Sequence, residues 1–420
     1  HVPVITFIFV PTLITFFFIG IIISIFYASF NLNKYDRNEN NRHLMIRGDT
    51  LFIWKEAESF KKDTIENRSL FGNGIQYTRT FLPSKLIAIY SLTFGTELFE
   101  SYDNIYDDLQ IKNGGKFFFL LFQIILYYLS LIFLYKKLIL FYDNKDISFF
   151  TTSYLAIDPN ILQWHGTFWT ESIFISLLLI LIGMLIKIQK TILYCFSLGL
   201  FLGIVYLQKT TAIFFIVLIL PYIYFSETKY SLVKSLNVLV GLIVILSLLA
   251  YDNFKKTGFF YFIPMQTKDA HYMSLVPTIY EENGKLEVYK KLKKKEESWK
   301  IQNSYSKNEF KSQKNLAEFK KAEALRVILE NKIITFKIYF KKTIAHMVLN
   351  PFQTFYWHKY NQNKFQNIEF HLSDESKKYF LFKIFYSTVF YPILLLGFIS
   401  ILKNRKNLKF HLLIFFVLLY

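Results

Sequence analysis

The chain has one cysteine in 420 residues, Cys195, inside an apolar run. That excludes an intrachain disulfide and leaves the compartment open. No Walker-type phosphate loop is present, and no Asp-x-Asp pair of the kind that holds a metal-bound nucleotide sugar. The eight histidines are dispersed and no His/Cys group has zinc spacing, so neither a resident metal nor a cofactor is expected. Acidic residues are in deficit: Lys and Arg number 49 against 31 Asp and Glu, a net charge of +18. The excess is not gathered on a recognisable nucleic-acid module, which sets nucleic acid aside. Lysine-rich loops drawn to anionic lipid account for it. A solenoid-type repeat is also missing.

What the chain has is apolar length. Hydrophobic residues make up 53% of it, with 48 Phe and 29 Tyr, and they fall in long blocks rather than short periodic stretches. The blocks run to about 20 residues and are nearly free of charge, enough to cross a bilayer as helix. Backbone polar groups cannot go unpaired in lipid, so the blocks must be helical. The expected class is an all-α integral membrane protein with spans at 4–30, 117–134, 147–162, 171–187, 192–207, 212–225, 236–251, 384–402 and from 410 onward. The first block lacks the short apolar region and small-residue cleavage site of a signal peptide and reads as a retained anchor. The chain opens at His1 without a methionine and stops at Tyr420 in an apolar run, so it reads as a fragment lacking further C-terminal spans. Three parts follow: a seven-span module over 1–251 with a first polar loop at 31–116, an extramembrane segment over 252–383, and C-terminal spans over 384–420.

Short-loop cations fix the orientation. Lys136, Lys137 and Lys145, then Lys187 and Lys190, Lys229 and Lys234, and Lys403, Arg405, Lys406 and Lys409 fall on one side, which the positive-inside rule makes cytoplasmic. The loop 31–116, the turns at Glu171 and Lys209, and the segment after 252 then face outward; long loops translocate largely regardless of charge. Residues around Glu56, Ala57 and Phe60 suggest an amphipathic surface helix, and 86–95 and 331–349 read as interfacial helices. The run 290–326 reads as a solvated amphipathic helix.

Several ionisable residues share the outer face. Asp49, in Ile46-Arg47-Gly48-Asp49-Thr50 just past the first span, can serve as a general base at the membrane edge; it also fits an exposed loop aspartate or the N-cap of a helix beginning at Thr50. Arg47 and Arg79 suit phosphate, which guanidinium grips with two parallel hydrogen bonds, and equally suit lipid headgroups. Glu171 opens an apolar helix whose N-terminal dipole favours an anion. It is either a functional carboxylate at membrane depth or a capping glutamate in interfacial water. His165 and Trp169 can stack on a sugar or form part of an aromatic belt. Lys209, a lone cation in an outer turn, needs a partner, either a lipid phosphate or an acidic loop residue.

Taken in order, these segments resemble the GT-C superfamily of polytopic glycosyltransferases, nearest to the bacterial relatives of protein O-mannosyltransferase and aminoarabinose transferase. Gly48-Asp49 through Glu56-Ala57 resembles the family's first-loop aspartate and surface helix. Arg79 through Gly95 is similar to its arginine-proline stretch, and Pro159 through Glu171 to its proline-to-glutamate hairpin. Leu198-Gly199 through Thr211-Ala212 resembles its glycine-rich span ending in a basic turn, and Glu323 through Pro351 the helix before its last outer loop. The resemblance implies a multi-span bundle with outer-face interfacial helices in the bacterial inner membrane. It implies a polyprenyl-phosphate sugar donor, a lipid, glycan or protein acceptor, Asp49 as base, and Lys209 with arginines at the lipid phosphate. Many members carry Asp-Glu in the first loop; here Thr50 follows Asp49, as in the looser bacterial members rather than the protein-mannosylating branch.

Other classes compete. An O-antigen polymerase or ligase would place paired arginines in the late outer loop, where this chain has Arg326 alone among many lysines. A lipid or polysaccharide transporter would show charged or broken helices at mid-membrane and pseudo-symmetric halves, which the sequence pattern does not display. A membrane scaffold has no reason to bring Asp49, Glu171 and Lys209 together, so their convergence discriminates.

Overall fold

A computed structural model describes residues 2–33, 81–94, 113–142, 145–166, 170–186, 191–226, 231–263, 265–306 and 310–349, with Ile53, Glu56, Ala57, Phe60 and Lys61. Every regular element among the described residues is helical. They fall into two units, one within residues 2–246 and one within 247–349.

The first unit contains α1 (Val2–Asn33), α2 (Phe81–Phe94), α3 (Asn113–Tyr142), α4 (Lys145–Ile157), α5 (Pro159–His165), α6 (Thr170–Ile186), α7 (Ile192–Gln208), α8 (Ile213–Ser226) and the start of α9 (Ser231–Thr257). Helix α3 is the hub and packs against α1, α4 and α6. Its buried residues Leu120, Ile124, Tyr127, Leu131, Leu134 and Leu138 recur at alternating spacings of four and three, one stripe of a helix. Its other face exposes Phe118, Phe122, Ile125, Leu129 and Ile132. A helix apolar all round, with one face uncovered, is matched to an apolar solvent rather than to water.

Two helices are long and apolar enough to cross a membrane, over Phe118–Tyr142 and Ser231–Lys255. Several other apolar helices are shorter. Helices α6 and α7 have 17 residues each, about 26 Å at 1.5 Å per residue, somewhat under a hydrocarbon core of about 30 Å. Helix α7 starts where Thr191 Oγ1 accepts the Tyr194 N–H at 3.3 Å, an ordinary N-cap.

The expected third span, 147–162, is not one helix. It breaks at Asp158, directly before Pro159, into α4 and α5. The cause is local. Proline disfavours helical geometry in the residue before it, and it has no N–H to offer the carbonyl of Leu155 four residues back. That carbonyl takes the Tyr127 hydroxyl instead, at 2.6 Å, and the Ala156 carbonyl takes the Tyr128 hydroxyl at 2.9 Å. Two tyrosines of α3 thus satisfy carbonyls that a helix end leaves open. Asp158 is buried, and its carbonyl restarts the chain by accepting the N–H groups of Ile161 and Leu162, both at 3.0 Å. A broken helix is therefore present, at the end of the expected span.

Backbones meet closely between α7 and α9. A Cβ on Gly199 would collide with the Val238 carbonyl, and one on Gly241 with the Phe196 carbonyl. Small residues allow this approach between apolar helices. Ile53, Glu56 and Ala57 are helical and buried, at one-stripe spacing, with Ile53 and Ala57 in the apolar core. The face expected to lie on a membrane surface contributes to the interior of this unit.

The second unit contains the end of α9, then α10 (Met265–Glu282), α11 (Leu286–Gln302), α12 (Phe310–Glu330) and α13 (Lys332–Leu349). Helix α10 is its centre and packs against the other three. Its buried Tyr272, Leu275, Val276, Ile279 and Tyr280 follow helical spacing and meet Leu292, Ala324, Val327 and Ile338. Beside this core lies a charged network. Buried Glu296 accepts from the Tyr272 hydroxyl at 3.1 Å and lies 3.3 Å from Lys293, 3.2 Å from Lys300 and 3.5 Å from Lys320. Glu323 is paired with Lys295 and Arg326.

Candidate functional site

The site is built on the α6–α7 hairpin. The two helices pack together, and Tyr194 near the start of α7 donates to the Met184 carbonyl near the end of α6 at 2.7 Å. The opposite end therefore joins the first turn of α6 to the last turn of α7. Glu171 sits in that first turn, where the helix dipole favours an anion, and Lys209 is the C-cap of α7, where it favours a cation. Lys209 Nζ donates to Glu171 Oε1 at 2.9 Å. Both side chains are a third exposed or less, at 30% for Lys209 and 22% for Glu171, so water screens the pair less than an open surface pair.

The surroundings hold it in place. Thr170 Oγ1 donates to Glu171 Oε2 at 3.1 Å, and the Gln208 amide donates to the Thr170 carbonyl at 3.1 Å. That carbonyl belongs to the helix start, so Gln208 ties the two ends together beside the ion pair. Lys209 Nζ also lies 5.4 Å from the centre of the Phe174 ring, within cation–π range, and Phe174 stacks on Phe215 with centroids 6.1 Å apart.

His165 closes α5 and is wholly buried. Its Nδ1 is 2.7 Å from Ser172 Oγ, next in sequence to Glu171, and its ring lies 4.5 Å from that of Tyr127. Burial favours the neutral imidazole. Its Nε2 and the Gln208 Oε1 are both buried and without a hydrogen-bond partner among the described residues. Unsatisfied buried polar atoms are uncommon, and here the two side chains that carry them both bond the first turn of α6 through their other polar atom.

The sequence candidates divide accordingly. Glu171 and Lys209 meet directly, and His165 is bonded one residue from Glu171. Of the two partners open to Lys209, the structure supplies the acidic one. Asp49, Arg47, Arg79 and Trp169 lie outside the described residues. No three His, Cys, Asp or Glu side chains come together as a metal site among the described residues. Sequence reading passed over Gln208, Ser172, Tyr127 and Tyr128. The proline four residues after Leu155 was the one available signal for the tyrosines; nothing local pointed to Gln208 or Ser172.

No family model, curated protein or solved structure matches this chain.

Proposed function

We propose that the chain is a GT-C-type membrane glycosyltransferase, moving a sugar from a polyprenyl-phosphate-linked donor to a lipid, glycan or protein acceptor on the extracytoplasmic face. The support is one juxtaposition: Glu171 and Lys209, 38 residues apart, close the same end of two neighbouring apolar helices beside a buried histidine. In this reading Asp49 takes the proton of the acceptor hydroxyl as it attacks the anomeric carbon, and the bond from that carbon to the phosphate oxygen breaks. Arg47 and Arg79 hold the departing phosphate, where fixed positive charge lowers the barrier most. Lys209 is already neutralised by Glu171, so it can reach the phosphate only if that pair opens; Glu171 orients the sugar, and buried His165 acts from behind it by holding Ser172 in the same turn. The donor chain lies against the uncovered apolar faces.

The test is transfer from a panel of radiolabelled polyprenyl-phosphate sugars by the full chain in proteoliposomes. Wild type should label an acceptor and Asp49→Asn should not, at unchanged expression and melting temperature. Equal transfer by Asp49→Asn removes that base, and no transfer from any donor by wild type removes the reading.

The break at Asp158 favours a second reading, a transporter for a lipid or polysaccharide, because discontinuous helices line such binding sites. Flux of a labelled lipid-linked sugar across the same vesicles without any transfer would select it.

A further inference from the structure

An amphipathic face in the second unit has no packing partner among the described residues. In α13 (Lys332–Leu349), Ile333, Phe336 and Phe340 are 86%, 73% and 59% exposed, while Thr335 and Ile338 face the unit's interior. At about 100° per residue, the three exposed apolar side chains fall within an arc of about 60°, with Lys332 about 40° beyond one edge and Lys337 about 40° beyond the other. Lys341 continues the second rim. The helix has four lysines and no carboxylate, too many charges for a span. On this side Glu282 of α10 pairs with Lys341 at 2.8 Å, and Lys337 adds a weaker attraction to the same carboxylate.

We propose that this face of α13 lies on the surface of an anionic bilayer, with Ile333, Phe336 and Phe340 at the level of the acyl-chain boundary and Lys332 and Lys337 at the phosphates. Three things select lipid over a protein partner or a second copy. Both rims carry one sign of charge, which a second copy would repel. The apolar strip is narrow and bulky, as suits shallow insertion. Lysine stems can lie along the apolar strip while their ammonium groups reach outward. The inference is independent of the glycosyltransferase reading, since none of its residues belongs to that site.

The experiment uses the full chain in vesicles of phosphatidylcholine and phosphatidylglycerol at about 3:1. An environment-sensitive fluorophore is attached through Phe336→Cys and, in a separate sample, through Ile301→Cys, an exposed position on α11; Cys195 is buried. The label at 336 should be quenched by a shallow lipid nitroxide and protected from aqueous iodide. The label at 301 should show the reverse. Lys332→Gln with Lys337→Gln leaves the Lys341–Glu282 pair intact and should lower the docked-to-free ratio by about fivefold per lysine. About 0.5 M salt, with a Debye length near 4 Å, should have the same direction of effect. Unchanged helical circular dichroism in each variant shows that the fold is retained. Iodide access at 336 equal to that at 301 overturns the proposal. Shielding from both quenchers overturns it in favour of a protein partner or a second copy. Lipid quenching that ignores both the lysines and phosphatidylglycerol overturns the anionic part.

Discussion

Lys209 shows how far one side chain's meaning depends on its neighbour. Alone in a turn it is an unexplained cation. Opposite Glu171, at the ends of two antiparallel helix dipoles, it is half of a pair that each helix already favours. Removing one partner leaves the other charge partly buried and uncompensated. Lys209→Met should cost about 1–2 kcal/mol, between the worth of an exposed pair and the cost of breaking a buried one. Glu171→Gln should cost a similar amount, and the double variant less than the sum, a non-additivity that thermal unfolding of the four proteins in detergent would read. Additive effects would mean that the 2.9 Å contact carries no coupling. At Ser172→Ala, His165 would keep neither ring nitrogen bonded among the described residues, at a cost of about 1–2 kcal/mol in the same assay.

At the scale of the element, the break between α4 and α5 is the clearest case of a local rule with a distant consequence. Pro159 removes the N–H that Leu155 would have used, and Tyr127 of α3 replaces it. Tyr127→Phe should therefore destabilise by about 1–2 kcal/mol. In a Pro159→Ala background the same change should cost less, because residue 159 can then offer its own N–H to that carbonyl. An equal cost in both backgrounds, measured by unfolding, would show that the tyrosine does not stand in for the missing donor. The lengths of α6 and α7 belong to this scale too. Apolar composition marked both helices, but Thr191 and Lys209 set where α7 starts and stops, and such caps are short-range signals that a hydropathy pattern does not contain.

At the scale of the whole molecule, the two units rest on different interactions and should respond differently to acid. The second unit keeps Glu296 and Glu323 beside its core. Burial alone would raise the Glu296 carboxyl, but Lys320, Lys300 and Lys293 outweigh it and hold it below its ordinary value. Glu323 is likewise raised by burial and brought down further by Lys295 and Arg326. A carboxylate whose folded value lies below its unfolded one stabilises fully above the unfolded value, near pH 4.5. It loses that contribution as pH falls through the folded value. Amides of α10, α11 and α12 should thus lose hydrogen-exchange protection on acidification from about pH 6 to about pH 3, and Glu296→Gln should flatten the response. Equal protection at both pH values would remove these carboxylates as supports of the unit.

The helical class was legible because it follows from the chain's own chemistry. Long uncharged apolar blocks have no other way to satisfy their backbone in an apolar setting, whereas the helix α10 and the buried stripes of α3 and α10 came only from the structure. Glu171 and Lys209 were legible as candidates because each breaks the charge pattern of its surroundings. Their pairing was not. It joins positions 38 residues apart, as the Tyr127–Leu155 bond joins positions 28 apart, and no local pattern encodes such a distance. Sequence by itself determined that this chain forms helices and where its long apolar blocks lie. Tertiary structure alone decided which polar groups meet, since that depends on how helices stack and not on what any one of them contains.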